Sequence, residues 1–187
     1  MIDPATEARL LAALRSGDRK AHDAAIGELH ARTARPLFQL CLRIACDAAD
    51  ADDAVQETFV LVLRGVRSFR GEAKLSTWLF RIAIRAATRM RNRSATRRHS
   101  VVDTSQLPGG DDPVAQAADR ENAARLLEAI DELPAAQRAV VGLAAIEGIA
   151  HAEIAAVLGI PVGTVASRLH EARDRLRALL AVRRGGG

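Results

Sequence analysis

The sequence has no tyrosine, one tryptophan and four phenylalanines, so aromatics make up 3% of its 187 residues. Runs of Val, Ile, Thr and aromatic residues are nearly absent. A sheet would have little with which to cover its pleated surface. Ala and Leu, both good helix formers, dominate instead, and the expected fold class is all-α. Cysteine is scarce too: Cys41 and Cys46 are the only two. Five residues apart in an apolar helical stretch, they fall on different faces. That is neither a disulfide framework nor a metal pair. They read as buried thiols in a reducing cytoplasm. No apolar run approaches the ~18 residues of a membrane span, and no signal-peptide pattern opens the chain. The expected location is cytoplasmic, with no membrane insertion of its own. Catalytic signatures are missing as well. His22, His30, His99, His151 and His170 are scattered, and there is no nucleophile elbow, phosphate-cradling glycine loop or His-metal spacing. No enzymatic activity, cofactor or metal is expected.

What remains is apolar and charged. Hydrophobic residues make up 49% and charged residues 27%, enough for a core and a soluble surface. Of the 27 Lys and Arg residues only Lys20 and Lys74 are lysines, and the net charge is +4. So mild a net charge does not establish a nucleic-acid partner; its distribution matters more.

Helical periodicity runs through residues 5–30, broken at Ser16-Gly17-Asp18, where Gly17 ends one helix and Asp18 caps the next. A further helix is expected over 33–46. In residues 50–59, DADDAVQETF, Asp50 is the expected N-cap, with Asp52 and Asp53 in the first turn, where the helix dipole favours carboxylates. Val55, Phe59, Leu63 and Val66 recur at helical spacing. The loop RSFRGEAKLST follows, then a long helix from Thr77. Residues 99–119 hold Pro108, Gly109, Gly110 and Pro113 and are acidic, which predicts an inter-domain linker. As a coil it spans about 25 Å, and stretched about 65 Å. Helical signals then resume to the C-terminus.

Arg81, Arg85, Arg89, Arg93 and Arg97 recur every four residues and form one stripe on the second long helix. Like charges at this spacing oppose the helix by about 0.2–0.5 kcal/mol per pair. A line of phosphates would offset that cost and release counterions. The alternative is a solvated face neutralised by the protein's own acids. Near the C-terminus, HAEIAAVLGIPVGTVASRLHEARDRL has a helix-turn-helix pattern, with Gly159 at the turn and Pro161 opening the second helix. Val165, Leu169, Ala172 and Leu176 are expected to face inward. Thr164, Ser167, Arg168, Glu171 and Arg175 are expected to face outward, as on a recognition helix laid in a major groove.

The segments DADDAVQETFVLVL, FRGEAKLSTWLFRIA, LPAAQRAVV and EIAAVLGIPVGTVASRLHEARDRL, with the Pro/Gly linker, stand in an order that resembles the bacterial RNA polymerase sigma factors of the sigma-70 family. The resemblance is to the compact extracytoplasmic-function (ECF) group and covers roughly residues 8–182. It implies two small helical domains joined by a flexible linker, the second carrying the helix-turn-helix: 1–98 (region 2), 99–119 (linker) and 120–187 (region 4). It implies core RNA polymerase and promoter DNA as partners; because the inhibitory N-terminal region of larger relatives is missing from this sequence, control is expected from an anti-sigma factor or from the level of synthesis. Asp53, Gln56 and Glu57, with Asp52 and Phe59 beside them, would dock on a basic coiled coil of the polymerase. Lys74, Ser76, Thr77, Trp78, Arg81, Arg85, Arg89 and Arg93 would open and read the minus-ten element. Val162, Gly163, Thr164, Ser167, Arg168, Glu171 and Arg175 would serve the minus-thirty-five element. Positions 85 and 89 are often Asn and Asp in the family, and both are Arg here. Position 166 is commonly basic but is Ala, and position 171 is often basic but is Glu. Altered promoter preference follows. The competing reading is a stand-alone helix-turn-helix regulator that ignores polymerase.

Overall fold

A computed structural model describes residues 2–94, 113–146 and 148–184, with side chains over 2–94, 121–146 and 148–181. Among the described residues all regular structure is helical: α1 (Pro4–Arg15), α2 (Arg19–Ala45), α3 (Ala48–Gly65), α4 (Leu75–Ser94), α5 (Pro113–Asp131), α6 (Ala135–Ala144), α7 (His151–Leu158) and α8 (Val162–Arg184), with one 3-10 turn at Val66–Ser68. Arg97 and most of the expected linker lie outside the described residues. Helix α5 starts at Pro113, so the last seven positions assigned to the linker are helical.

The break between α1 and α2 falls where expected. Asp18 accepts from the backbone N–H groups of Lys20 and Ala21 and caps α2. The expected helix over 33–46 is the second half of α2, which runs through Pro36 for 27 residues. Its buried face (Leu29, Leu37, Leu40, Cys41, Ile44) continues across the proline, and that packing outweighs the single hydrogen bond which proline removes. The cap of α3 also differs from expectation: Asp47, not Asp50, accepts the first-turn N–H, from Asp50, at 2.9 Å.

Helices α1–α4 form one unit, with α3 and α4 packed on each other and on α2. Leu10, Leu14, Leu29, Leu37, Leu40, Val62, Val66, Leu75 and Leu79 are its largest buried side chains. Helices α5–α8 form the second unit around Ile130, Leu143, Ile154, Val165 and Leu169. The units touch. Helix α2 packs on α6 and α5, and α4 packs on α7. Gly142 of α6 permits a close approach: a Cβ there would stand 2.9 Å from Leu40 Cδ1. One continuous apolar cluster therefore crosses from the first unit to the second.

Candidate functional site

With Asp47 as cap, Asp52 and Asp53 lie in the second turn of α3. The helix dipole acts mainly within the first turn, so it leaves these two carboxylates without a structural reason. Both are exposed, with Gln56 one turn on. Gln56 donates to Asp52 at 2.9 Å, and Asp53 has no partner among the described residues. Val60 and Leu63, each 43% exposed, continue this face. Leu63, which recurs at helical spacing with Val55 and Phe59, thus stands outside the buried stripe. Phe59, by contrast, is buried, with its ring 4.7 Å from that of His30. It fixes α3 to α2 and offers no surface to a partner. Glu57 is only partly exposed and pairs with Arg89 of α4 at 2.7 Å.

That ion pair answers part of the question raised by the arginine stripe. Arg89 is neutralised by an internal acid, as a face balanced by the protein's own carboxylates requires. Arg85 and Arg93 are exposed and carry no ion-pair partner among the described residues. Arg81 donates through Nε and Nη2 to the carbonyls of Val157 and Ala156, at 3.2 and 2.6 Å. Arg91, off the stripe, pairs with Asp131.

The loop before α4 is built on aromatic packing. Trp78 lies half-buried against Phe69, centroids 5.0 Å apart, and presses on Gly65, where a Cβ would come within 3.2 Å of its ring. Arg15 donates to the Phe69 carbonyl and covers its ring. Trp78 holds the loop in place. Ser76 and Thr77 are buried, at 5% and 3% exposure, and Ser76 donates to Glu153 of α7 at 3.1 Å. Lys74 stays exposed, 3.8 Å from Glu153. The backbone N–H of Leu75 donates to Glu7 Oε1 at 2.7 Å, so a residue of α1 caps α4. Nothing local in the sequence signals that contact.

The second unit carries a helix-turn-helix. Gly159 adopts φ 66°, a left-handed conformation, and its N–H donates to Ala155. Helices α7 and α8 meet at 99°, within the usual range for the motif. Val165, Leu169 and Ala172 are buried, as expected. Val162, Gly163, Ser167, Glu171 and Arg175 are exposed, with Thr164 and Arg168 partly so. Glu171 accepts from Gln137 of α6 at 3.1 Å, so this departure from a basic residue has an internal partner.

Two family models match the chain: Sigma-70 region 2 over residues 29–98 and Sigma-70, region 4 over residues 123–176. An ECF RNA polymerase sigma factor, SigM of Mycobacterium tuberculosis, is 37% identical over 176 residues, covering 94% of this chain and 85% of that protein. The chain belongs to the ECF group of the sigma-70 family. The RNA polymerase sigma-H factor of Pseudomonas aeruginosa is 28% identical over 94% of both chains. Among solved structures, CnrH in complex with the cytosolic domain of CnrY superposes with a TM-score of 0.70 at 30% identity, over 95% of this chain and 98% of that one. The sigma factor RpoE in complex with the anti-sigma factor NepR, from Bartonella quintana, gives 0.62 at 25% identity, over 83% of this chain and 96% of that one. As an ECF sigma-70 protein, the chain is not a stand-alone regulator. The second match starts at residue 123, ten positions into α5, which agrees with a structural unit wider than the motif.

Proposed function

We propose that this ECF sigma factor binds core RNA polymerase in the cytoplasm and directs it to specific promoters, contributing binding and strand opening but no catalysis of its own. The observation that carries the reading is the juxtaposition on one small unit of two oppositely charged faces. On α3, Asp52, Asp53 and Gln56 stand exposed with no helix-capping role, beside the apolar pair Val60 and Leu63. On α4, Arg85 and Arg93 stand exposed with no acid to balance them among the described residues. Opposite charges on adjacent faces let one domain hold a cationic helix of polymerase and the DNA backbone together.

In this reading Asp52, Asp53, Gln56 and Glu57 dock the polymerase. Lys74, Arg81, Arg85, Arg89 and Arg93 engage the minus-ten element, over a loop that Trp78 supports and beside the buried Ser76 and Thr77. The exposed start of α8 (Val162, Gly163, Thr164, Ser167, Arg168) and, further along, Glu171 and Arg175 read the minus-thirty-five element. An anti-sigma factor is the expected regulator, supported by the likeness to a sigma factor solved with one.

Run-off transcription with core polymerase on a randomised promoter pool tests the assignment and reports the motif together. Transcripts should start from a recurring two-part sequence. Asp53→Arg should lower association with core polymerase by about tenfold or more, because attraction becomes repulsion at a docking face. Silence on every promoter with a competent core enzyme would overturn the assignment.

A further inference from the structure

Helix α1 carries no role in the assignment above, yet it holds both ends of the loop that precedes α4. Leu10 and Leu14 are fully buried and fix the helix in the first unit. Glu7, Leu11 and Arg15 recur every four residues and make one stripe beside them, about 12 Å long. At one end Arg15 donates to the Phe69 carbonyl, with its guanidinium 5.9 Å from the centre of the Phe69 ring. At the other end Glu7 Oε1 accepts from the backbone N–H of Leu75 at 2.7 Å. Lys74 stands in the capping position of α4, its carbonyl accepting from the Trp78 N–H at 3.1 Å. A lysine side chain has no acceptor to offer a first turn. Glu7 supplies the missing one, and the helix dipole favours its charge there. The residues between the two tethers are loosely packed. Arg70, Gly71, Glu72 and Lys74 are exposed, and Gly71 turns the chain at φ 79°. A cavity of about 320 Å³ lies behind them, lined by Ala8 and Leu11 of α1 on one side and by Gly71 and Lys74 on the other.

We infer that Glu7 and Arg15 are positioning residues for strand opening: one face of α1 holds the start and the end of the 69–75 loop, so that Lys74 and the first turn of α4 meet the separating DNA strand already in place. The inference rests on the minus-ten role proposed for Lys74 and α4. Neither Glu7 nor Arg15 touches DNA in it; both act through the loop. A loop fixed before binding loses less freedom on binding, and more of the contact energy is left to hold an unpaired strand. First encounter with a closed duplex depends less on the loop, because the arginines of α4 reach the phosphates from a continuous helix. The tethers therefore act on opening. They differ in kind. The Glu7 contact is a charge-assisted bond to the N–H of a fully buried residue, so its loss leaves that donor short of a partner. The Arg15 contact joins a carbonyl bond to the face of a ring, and the same ring packs on Trp78, centroids 5.0 Å apart. Loosening either end is thus felt at Trp78, three residues past Leu75 and against Phe69.

Three variants of the full chain test this outside the DNA-reading and docking sets. Glu7→Ala and Arg15→Ala cut one tether each, and Glu7→Gln keeps an oxygen that accepts the Leu75 N–H. Trp78 is the only tryptophan in a chain without tyrosine, so its emission reports on the loop in the free protein. Acrylamide should quench it more in either alanine variant than in the parent or in Glu7→Gln. Holoenzyme is then compared on the strongest promoter recovered from the randomised pool, once as a duplex and once with a mismatched bubble over the minus-ten element. Run-off from the duplex should fall about fivefold in the alanine variants, the factor that a lost cap represents, and less than about twofold in Glu7→Gln. The pre-opened template should recover most of that loss, and affinity for core polymerase, which is read through α3, should stay at the parental value. Parental run-off from the duplex in either folded alanine variant overturns the positioning role. So does an equal loss on both templates, which is what general destabilisation produces. Should Glu7→Ala fail to fold, as seen by circular dichroism, Arg15→Ala decides alone. An active parent whose variants behave like it would sink only the tethers, whereas a parent silent on every promoter would sink the functional reading.

Discussion

Cys41 and Cys46 are both buried, and burial pushes their thiols from the ordinary 9.0 up to about 12, with the Asp131 carboxylate adding to the effect at Cys46. Neutral thiols are therefore favoured in the folded state. Below about pH 9 that contribution is fully present; between about pH 9 and pH 12 the unfolded chain ionises while the folded one does not, so stability falls as pH rises. No tyrosine and only two lysines are present to titrate in this window, which makes the signal clean. Denaturant midpoints should drop from about pH 8 to about pH 11, and the drop should shrink in Cys41→Ala. A flat profile would contradict the burial. At this scale the sequence was legible for the thiols and for the inward set Val165, Leu169 and Ala172. It was not legible for Phe59 and Leu63. Both fit an apolar helical stripe, and only the position of α2 decides that Phe59 turns inward and Leu63 outward.

For single helices, caps and turns were readable where the side chain acts on its own neighbours. Asp18 and Gly159 fall where local chemistry puts them. The start of α3 lies three residues before the expected cap, because Asp47 and Asp50 satisfy the same local rule. Asp50 instead accepts from Ser94 of α4 at 2.8 Å. Asp47→Ala should cost about 1 kcal/mol of stability through the lost cap, measurable by chemical denaturation. Helix α2 hides its continuity behind Pro36, and the cap of α4 comes from Glu7, 68 residues away from the bonded N–H. Periodicity carries no information about either.

Across the whole molecule, the two-unit layout follows from the order of the motifs, but the contact between units does not. It depends on Gly142 meeting Leu40, on Arg81 meeting the end of α7 and on Arg91 meeting Asp131, pairings between segments far apart in the chain. Because the apolar cluster crosses the boundary, thermal unfolding should give a single calorimetric transition in the parent. Leu40→Ala should lower it as one transition, by about 2–5 kcal/mol. Two resolved transitions in the unmodified protein would contradict a shared core.

The Glu57–Arg89 pair ties the fate of two surfaces together. Any allele that removes the acid at position 57 liberates a guanidinium on the neighbouring helix; under the roles proposed for the two faces, a genetic screen aimed at assembly should also recover changes in which genes are switched on. Second-site revertants at position 89 should repair the choice of genes and leave the assembly defect in place.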